Sequence, residues 1–138
     1  MTIIVDTNFL FALKAEKDKN RVRAIEIIKD INIKKEEVIT NYLVISEIFT
    51  LAISRSFGDK SLLTKIHSLT LGDESFLKIY SFSPEEYQKI YDILVKYCNP
   101  KRLFSFVDAS LVYLYEIKNA DYILSFDSHF DQIVNRLY

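Results

Sequence analysis

The sequence predicts a three-layer α/β fold, a central parallel sheet of four to five strands flanked by helices, and three features carry that prediction. Short apolar, largely β-branched runs recur at Ile3–Val5, Val38–Thr40 and Tyr122–Ser125, the pattern of strands covered on both faces. One or two amphipathic helical segments separate successive strands, so the connections must be crossovers. Punctuation is scarce, with 2 Gly and 2 Pro in 138 residues of which 49 % are hydrophobic, so the elements are long and disordered or repetitive classes are excluded. This length suits one domain over residues 1–138.

Ile3-Ile4-Val5 ends at the polar triplet Asp6-Thr7-Asn8 and reads as a central strand. A short helix is expected over Phe9–Lys14 and a second over Asn20–Ile31, with Val22, Ile25, Ile28 and Ile31 inward. Val38–Thr40 is strand two. Asn41 can cap a long helix from Tyr42 to Phe57, with Gly58 suited to its end. Asp59–Leu71 forms another helix, with Leu62, Leu63, Ile66 and Leu69 on one face and Gly72 as its stop. Phe76–Phe82 is a third strand, polar enough in its alternation to lie near an edge. Ser83-Pro84-Glu85-Glu86 combines a cap serine, a first-turn proline and a capping-box glutamate; the helix it opens is expected to bury Tyr87, Ile90, Tyr91 and Leu94 and to stop at Asn99-Pro100. A helix over Val107–Lys118 leads into strand four, Tyr122–Ser125, and Val134–Leu137 can add a fifth.

Charge and cysteine content restrict the partners. Eighteen basic residues nearly cancel nineteen acidic ones, for a net charge of −1, so any nucleic-acid contact must be local. One cysteine, Cys98, permits neither an internal disulfide nor a multi-cysteine metal site. The amino terminus lacks a basic export signal, and no uncharged run approaches the ~20 residues of a membrane span. A soluble, cytoplasmic protein without a membrane partner is expected.

Ligands bind at the carboxyl ends of strands in open parallel sheets, which singles out four acids. Asp6 ends strand one, and Asp127 lies two residues beyond Ser125. Glu47 sits one to two turns into the helix after strand two, and Asp108 in the first turn of the helix before strand four. Each has an ordinary alternative: Asp6 as a helix cap, Asp108 as the acidic member of a Ser105-x-x-Asp start, Asp127 as a turn residue, and Glu47 on a polar stripe with Ser46, Thr50 and Ser54. Glu47 stands out as the only charged residue between Glu37 and Arg55. Four carboxylates at one sheet edge without basic partners repel unless a cation sits among them. Oxygen ligands select Mg²⁺ or Mn²⁺, and such ions suit hydrolysis of a phosphodiester.

The residues resemble the PIN-domain nucleases, and among them the small VapC-like toxins of toxin–antitoxin pairs. The carriers are Val5-Asp6-Thr7-Asn8-Phe9-Leu10, Ser46-Glu47-Ile48, Phe106-Val107-Asp108-Ala109 and Ala120-Asp121-Tyr122-Ile123-Leu124-Ser125-Phe126-Asp127-Ser128-His129-Phe130. The resemblance implies a PIN-like fold, metal-dependent endoribonuclease activity, Mg²⁺ or Mn²⁺ held by Asp6, Glu47, Asp108 and Asp127, and Asn8 helping to orient the site. It further implies an RNA substrate, a homodimer and an antitoxin protein as partner. Asn119 and Ser125 stand where relatives often carry Gly and Thr, but Asn tolerates a left-handed cap and Ser keeps the hydroxyl.

Other candidates are weaker on sequence. His129, two residues from Asp127, could assist a proton transfer but is expected as an exposed loop histidine. Asp131 is expected at the surface. His67 lacks ligand spacing to another histidine, and no base is nominated for Cys98. Lys101-Arg102, or Lys19, Arg21 and Arg23, could hold a phosphate. A receiver-type Mg²⁺-binding signalling domain would need an acid pair at strand one and an acceptor Asp after strand three, where this chain has Ser81-Phe82-Ser83. A PIN-like scaffold that binds RNA or protein without cutting is disfavoured by the four intact carboxylates. Nineteen aromatic Tyr and Phe side chains and a mean hydropathy of +0.06 suggest a partner face, expected on Leu62, Ile66 and Leu69.

Overall fold

Ile3, Ile4 and Val5 are fully buried in β1 (Thr2–Val5), at the centre of the computed structural model, which describes residues 1–138. From β1 the chain runs through α1 (Thr7–Lys14) and α2 (Arg21–Asp30) to β2 (Glu37–Asn41), then through α3 (Tyr42–Ser56) and α4 (Lys60–Thr70) to β3 (Lys78–Tyr80). It returns through α5 (Pro84–Tyr97) and α6 (Phe106–Ile117) to β4 (Tyr122–Leu124), and a 3-10 turn (Ser128–Phe130) leads to β5 (Arg136–Leu137).

All five strands are parallel, in the order β3-β2-β1-β4-β5. The first two crossovers step from β1 toward β3, and the third carries the chain past β1 to β4. Right-handed connections therefore put α1 to α4 on one face and α5 and α6 on the other. Packing of α1 against α2, α3 and α4, and of α5 against α6, agrees. The reversal of direction makes the β1–β4 boundary a topological switch point, where the strands' carboxyl ends leave a crevice.

Side chains bridge the layers at this end of the sheet. Asn41 ends β2, accepts from the backbone N–H groups of Leu43 and Val44 at 2.9 and 3.2 Å, and donates to Ser110 Oγ of α6 at 3.1 Å. The Thr40 hydroxyl donates to the Val5 carbonyl at 3.0 Å. The capping box at Ser83 and Glu86 forms as expected. Glu86 also accepts from the Tyr80 and Tyr113 hydroxyls, each at 2.9 Å, which ties the edge strand β3 to α5 and α6. These bonds hold the Glu86 carboxyl below its ordinary range, the Ser83 N–H contributing most.

Several expectations are corrected. Strand three is three residues long rather than seven: Ser75 accepts the Leu77 N–H and donates to Thr70 O, so Phe76 and Leu77 precede the strand in irregular backbone, and Ser81 and Phe82 lead out of it to the capping box at Ser83. In α2 the buried residues are Ala24 and Ile27; Ile31 at its end and Ile28, packed against the core, face inward as expected, whereas Val22 faces water. Tyr87 and Tyr91 are exposed, and Ile90 is the fully buried residue of α5. The left-handed turn after α3 begins at Phe57 (φ 54°), with Gly58 second (φ 75°). Ile66 and Leu69 lie in the core rather than on a partner face, and Leu62 packs against that core. Exposed apolar side chains near these helices are instead Ile53, Phe57 and Leu71. No helix is long and apolar enough to cross a membrane.

Ile4→Ala, in the central strand, is expected to lower the unfolding free energy by about 2–5 kcal/mol. Val22→Ala should change it by less than about 0.5 kcal/mol. Urea denaturation of both variants checks this, and similar losses at the two positions would contradict the orientation of α2.

Candidate metal centre at the sheet edge

Asp6 continues β1, its N–H donating to the Leu124 carbonyl at 3.1 Å, and its side chain is only 4 % exposed. One carboxylate oxygen accepts the Thr7 N–H at 2.7 Å, capping α1. The other accepts the Ser125 hydroxyl, also at 2.7 Å, from the end of the neighbouring strand. Burial pushes the Asp6 carboxyl up to about 7, with Asp108 and Glu47 adding repulsion and the Ser125 and Thr7 bonds offsetting part of the rise. Asp6 is both a cap and a member of the cluster.

Ser125 arranges the other side. Its oxygen accepts the Asp127 N–H at 3.0 Å and lies 3.3 Å from Asn8 Nδ2, while Asn8 Oδ1 accepts the Phe126 N–H at 3.0 Å. The loop after β4 is therefore fixed to β1 and α1 by polar contacts. Asp127 accepts the His129 N–H at 2.9 Å and caps the 3-10 turn, which Phe130 anchors in the core. The turn places His129 Nδ1 3.3 Å from Asp127 and 3.7 Å from Asp108.

Asp108 completes a capping box with Ser105, accepting its N–H at 2.9 Å and donating its own N–H to the Ser105 hydroxyl at 3.0 Å. Burial raises its carboxyl above the ordinary range and the nearby Asp127 adds to this, while the Ser105 bonds and His129 oppose it. Glu47, half-buried on α3, is also raised, first by burial and then by Asp108. The Thr7 hydroxyl lies toward it and offsets part of the rise without completing a hydrogen bond.

Asp6, Asn8, Glu47, Asp108 and Asp127 all line one cleft of about 280 Å³. Within it, ligand atoms of Asp108, Asp127 and His129 lie within 4.8 Å of one another, and Asp6 and Glu47 stand outside that tight group. His129 is the residue that sequence reasoning undervalued. Its signal was the two-residue spacing from Asp127, a spacing that a single 3-10 turn converts into proximity. The cleft fits a hard divalent cation: its charged lining is carboxylate with one histidine and no Lys or Arg. Buried Thr7 Oγ1 and His129 Nδ1 also lack hydrogen-bond partners at its wall.

The remaining candidates lie elsewhere. Asp131 pairs with Arg136 at 2.7 Å, which holds its carboxyl low. Arg21 donates to Leu13 O, Arg23 to Tyr138 O and Arg102 to Asp131 O. Cys98 is exposed at the end of α5, and neither it nor His67 lines the cleft. Asn119 adopts φ 48°, the left-handed conformation its side chain tolerates.

The raised Asp6 carboxyl has a definite pH signature. Between the unfolded value near ~4 and the folded value of about 7, the native state holds a proton that the unfolded chain has lost. Metal-free stability should therefore be highest at the acid end of this window and fall as pH rises toward 7. Asp6→Asn should flatten that dependence. Unfolding curves in EDTA at several pH values test this, and wild-type stability that climbs more steeply than that of the variant over this window would contradict it.

Comparison with known proteins agrees with this architecture. The sequence model of the PIN domain matches residues 3–135. No curated protein sequence matches significantly. Among solved structures, VapC20 of Mycobacterium tuberculosis, a sarcin-ricin loop cleaving toxin, is similar with a TM-score of 0.76 at 23 % identity, covering 93 % of this chain and 92 % of that one. VapBC2 of Rickettsia felis, solved with a DNA fragment from its promoter, gives 0.63 at 15 % identity over 99 % and 98 %. FitAcB of Neisseria gonorrhoeae gives 0.64 at 11 % identity over 99 % and 96 %. The family match spans nearly the whole chain and the solved folds agree with it: this chain belongs to the PIN domain family.

Proposed function

We propose that this protein is a Mg²⁺- or Mn²⁺-dependent endoribonuclease, and that it acts in the cytoplasm as the toxin of a toxin–antitoxin pair. One observation carries the reading: four carboxylates and a histidine converge on an open cleft at the carboxyl edge of a parallel sheet, with no Lys or Arg among them. Similarity to a toxin that cleaves the sarcin-ricin loop and to the VapBC2 and FitAcB proteins supports the toxin role. An antitoxin and a second copy of the chain are the proposed protein partners.

A bound divalent cation supplies polarisation of a phosphoryl oxygen and activation of water. The chain's own residues do the rest. Asp6, Asp108 and Asp127 offer carboxylate oxygens from three different elements, and Glu47 offers a fourth from the opposing helix. Ser125 and Asn8 fix the relative positions of Asp6 and Asp127. Glu47, raised by burial, can hold a proton at the cleft, and His129 stands beside the Asp127 carboxylate with Nδ1 at 3.3 Å. Ser105, which lines the cleft, is engaged in the capping box with Asp108, and Cys98 lies outside the cleft, so water is the proposed attacking group.

The purified protein should cut RNA internally with Mn²⁺ or Mg²⁺ and not in excess EDTA. Asp6→Asn and Asp127→Asn should each lower the rate by about 100-fold or more, with circular dichroism unchanged. A cleavage assay on wild type and both variants decides the matter; undiminished cutting in EDTA, or by Asp6→Asn, would overturn the reading. RNA binding without any cleavage would identify a non-cutting scaffold.

A further inference from the structure

A second cavity, of about 490 Å³, opens off the acidic cleft, and Asn8 and Leu51 line both. Its charge is opposite. Lys17 and Lys19 reach it from the segment after α1, and Arg55 from the last turn of α3. None of the three pairs with a carboxylate, whereas nearby Lys14 and Lys65 are neutralised by Glu74 at 2.8 Å and Glu16 at 3.3 Å. Asp18 is the one acid in the lining, and one of its oxygens is occupied by the Asn20 N–H at 2.8 Å. Lys17 and Arg55 also border an adjoining cavity with Glu16 and Asp59, but Glu16 is paired with Lys65 and Asp59 accepts the Leu62 N–H, which leaves a local positive field at the three cations on a chain whose net charge is −1.

We propose that Lys17, Lys19 and Arg55 form a phosphate-binding subsite that holds the RNA backbone beside the phosphodiester presented to the carboxylates. This rests on the nuclease reading and adds to it the path of the strand. A strand with one phosphodiester at the acidic cleft carries another phosphate at each following nucleotide, and the carboxylates themselves repel that backbone. Attraction must come from adjacent cations, which bind phosphates without regard to sequence. Phe11 and Leu51 give the cavity an apolar floor for a base. Contiguity with the cleft favours nucleic acid over an acidic peptide, because the strand that reaches the carboxylates necessarily continues past them.

The test is fluorescence anisotropy of a labelled single-stranded RNA of about 12 nucleotides in EDTA, across a range of salt. Replacing Lys17, Lys19 and Arg55 together by Ala should weaken binding at least about tenfold and flatten the log K against log salt slope by about 2, at ~0.7 per phosphate contact. Replacing Lys29, Lys34 and Lys35, at the opposite end of the sheet, should change affinity by less than about twofold. With Mn²⁺ the first variant should raise KM about tenfold and leave kcat essentially unchanged. Wild-type affinity in that variant, equal losses in both variants, or tighter capture of poly-glutamate than of RNA would overturn the subsite. Cleavage with unaltered KM would overturn the subsite and keep the nuclease reading. RNA binding that depends on these cations without Mn²⁺-dependent cleavage would support the subsite and overturn the nuclease reading.

Discussion

The hydrogen bond from Ser125 to Asp6 organises the sheet edge. It joins the ends of two adjacent parallel strands at 2.7 Å and gives a nearly inaccessible carboxylate a donor. The same oxygen takes the Asp127 N–H, so the position of the fourth acid depends on the bond that stabilises the first. This geometry is available only because β1 and β4 are parallel and in register, Val5 opposite Leu124. An antiparallel partner would send the corresponding acid to the far end of the sheet.

Three of the acids also cap local structure: Asp6 at α1, Asp108 at α6 and Asp127 at the 3-10 turn. Helix amino termini thus point at the cleft, and their partial positive charge offsets some of the repulsion. The offset is incomplete. A side-chain cap contributes about 1 kcal/mol, whereas removing a carboxylate from water costs several, and the upward displacement of Asp6, Glu47 and Asp108 shows burial outweighing the hydrogen bonds. Capping alone does not account for burying acids beside one another. The proposed cation-binding role would, because a bound positive charge compensates the burial that protein groups leave uncompensated.

Much of this was legible in the sequence, for physical reasons. β1 and β2 declare themselves through short β-branched runs, and β4 through the short apolar run Tyr122–Leu124, because both faces are covered. α5 declares its start through Ser83, Pro84 and Glu86. The acids at strand ends follow from the general placement of ligands in parallel sheets. Other features depend on tertiary contacts. The inward face of α2 is set by Ala24, whose small side chain is unremarkable in a pattern search beside Val22. Ile66 and Leu69 could equally have met a partner or the core. His129 required the 3-10 turn and the anchoring of Phe130, neither of which leaves a periodic signal.

The central claim, that these carboxylates are gathered for a divalent cation, is tested most directly by calorimetric titration of Mn²⁺ in buffers of different ionisation enthalpy. Burial pushes the Asp6 carboxyl up to about 7, so it is partly protonated near neutral pH, and a cation that it ligates must displace that proton. Binding should therefore release a fraction of a proton at pH 7, more at pH 6 and almost none at pH 8.5, with affinity rising over the same range. Failure to bind millimolar Mn²⁺, or binding with no proton release at pH 6, would contradict the claim.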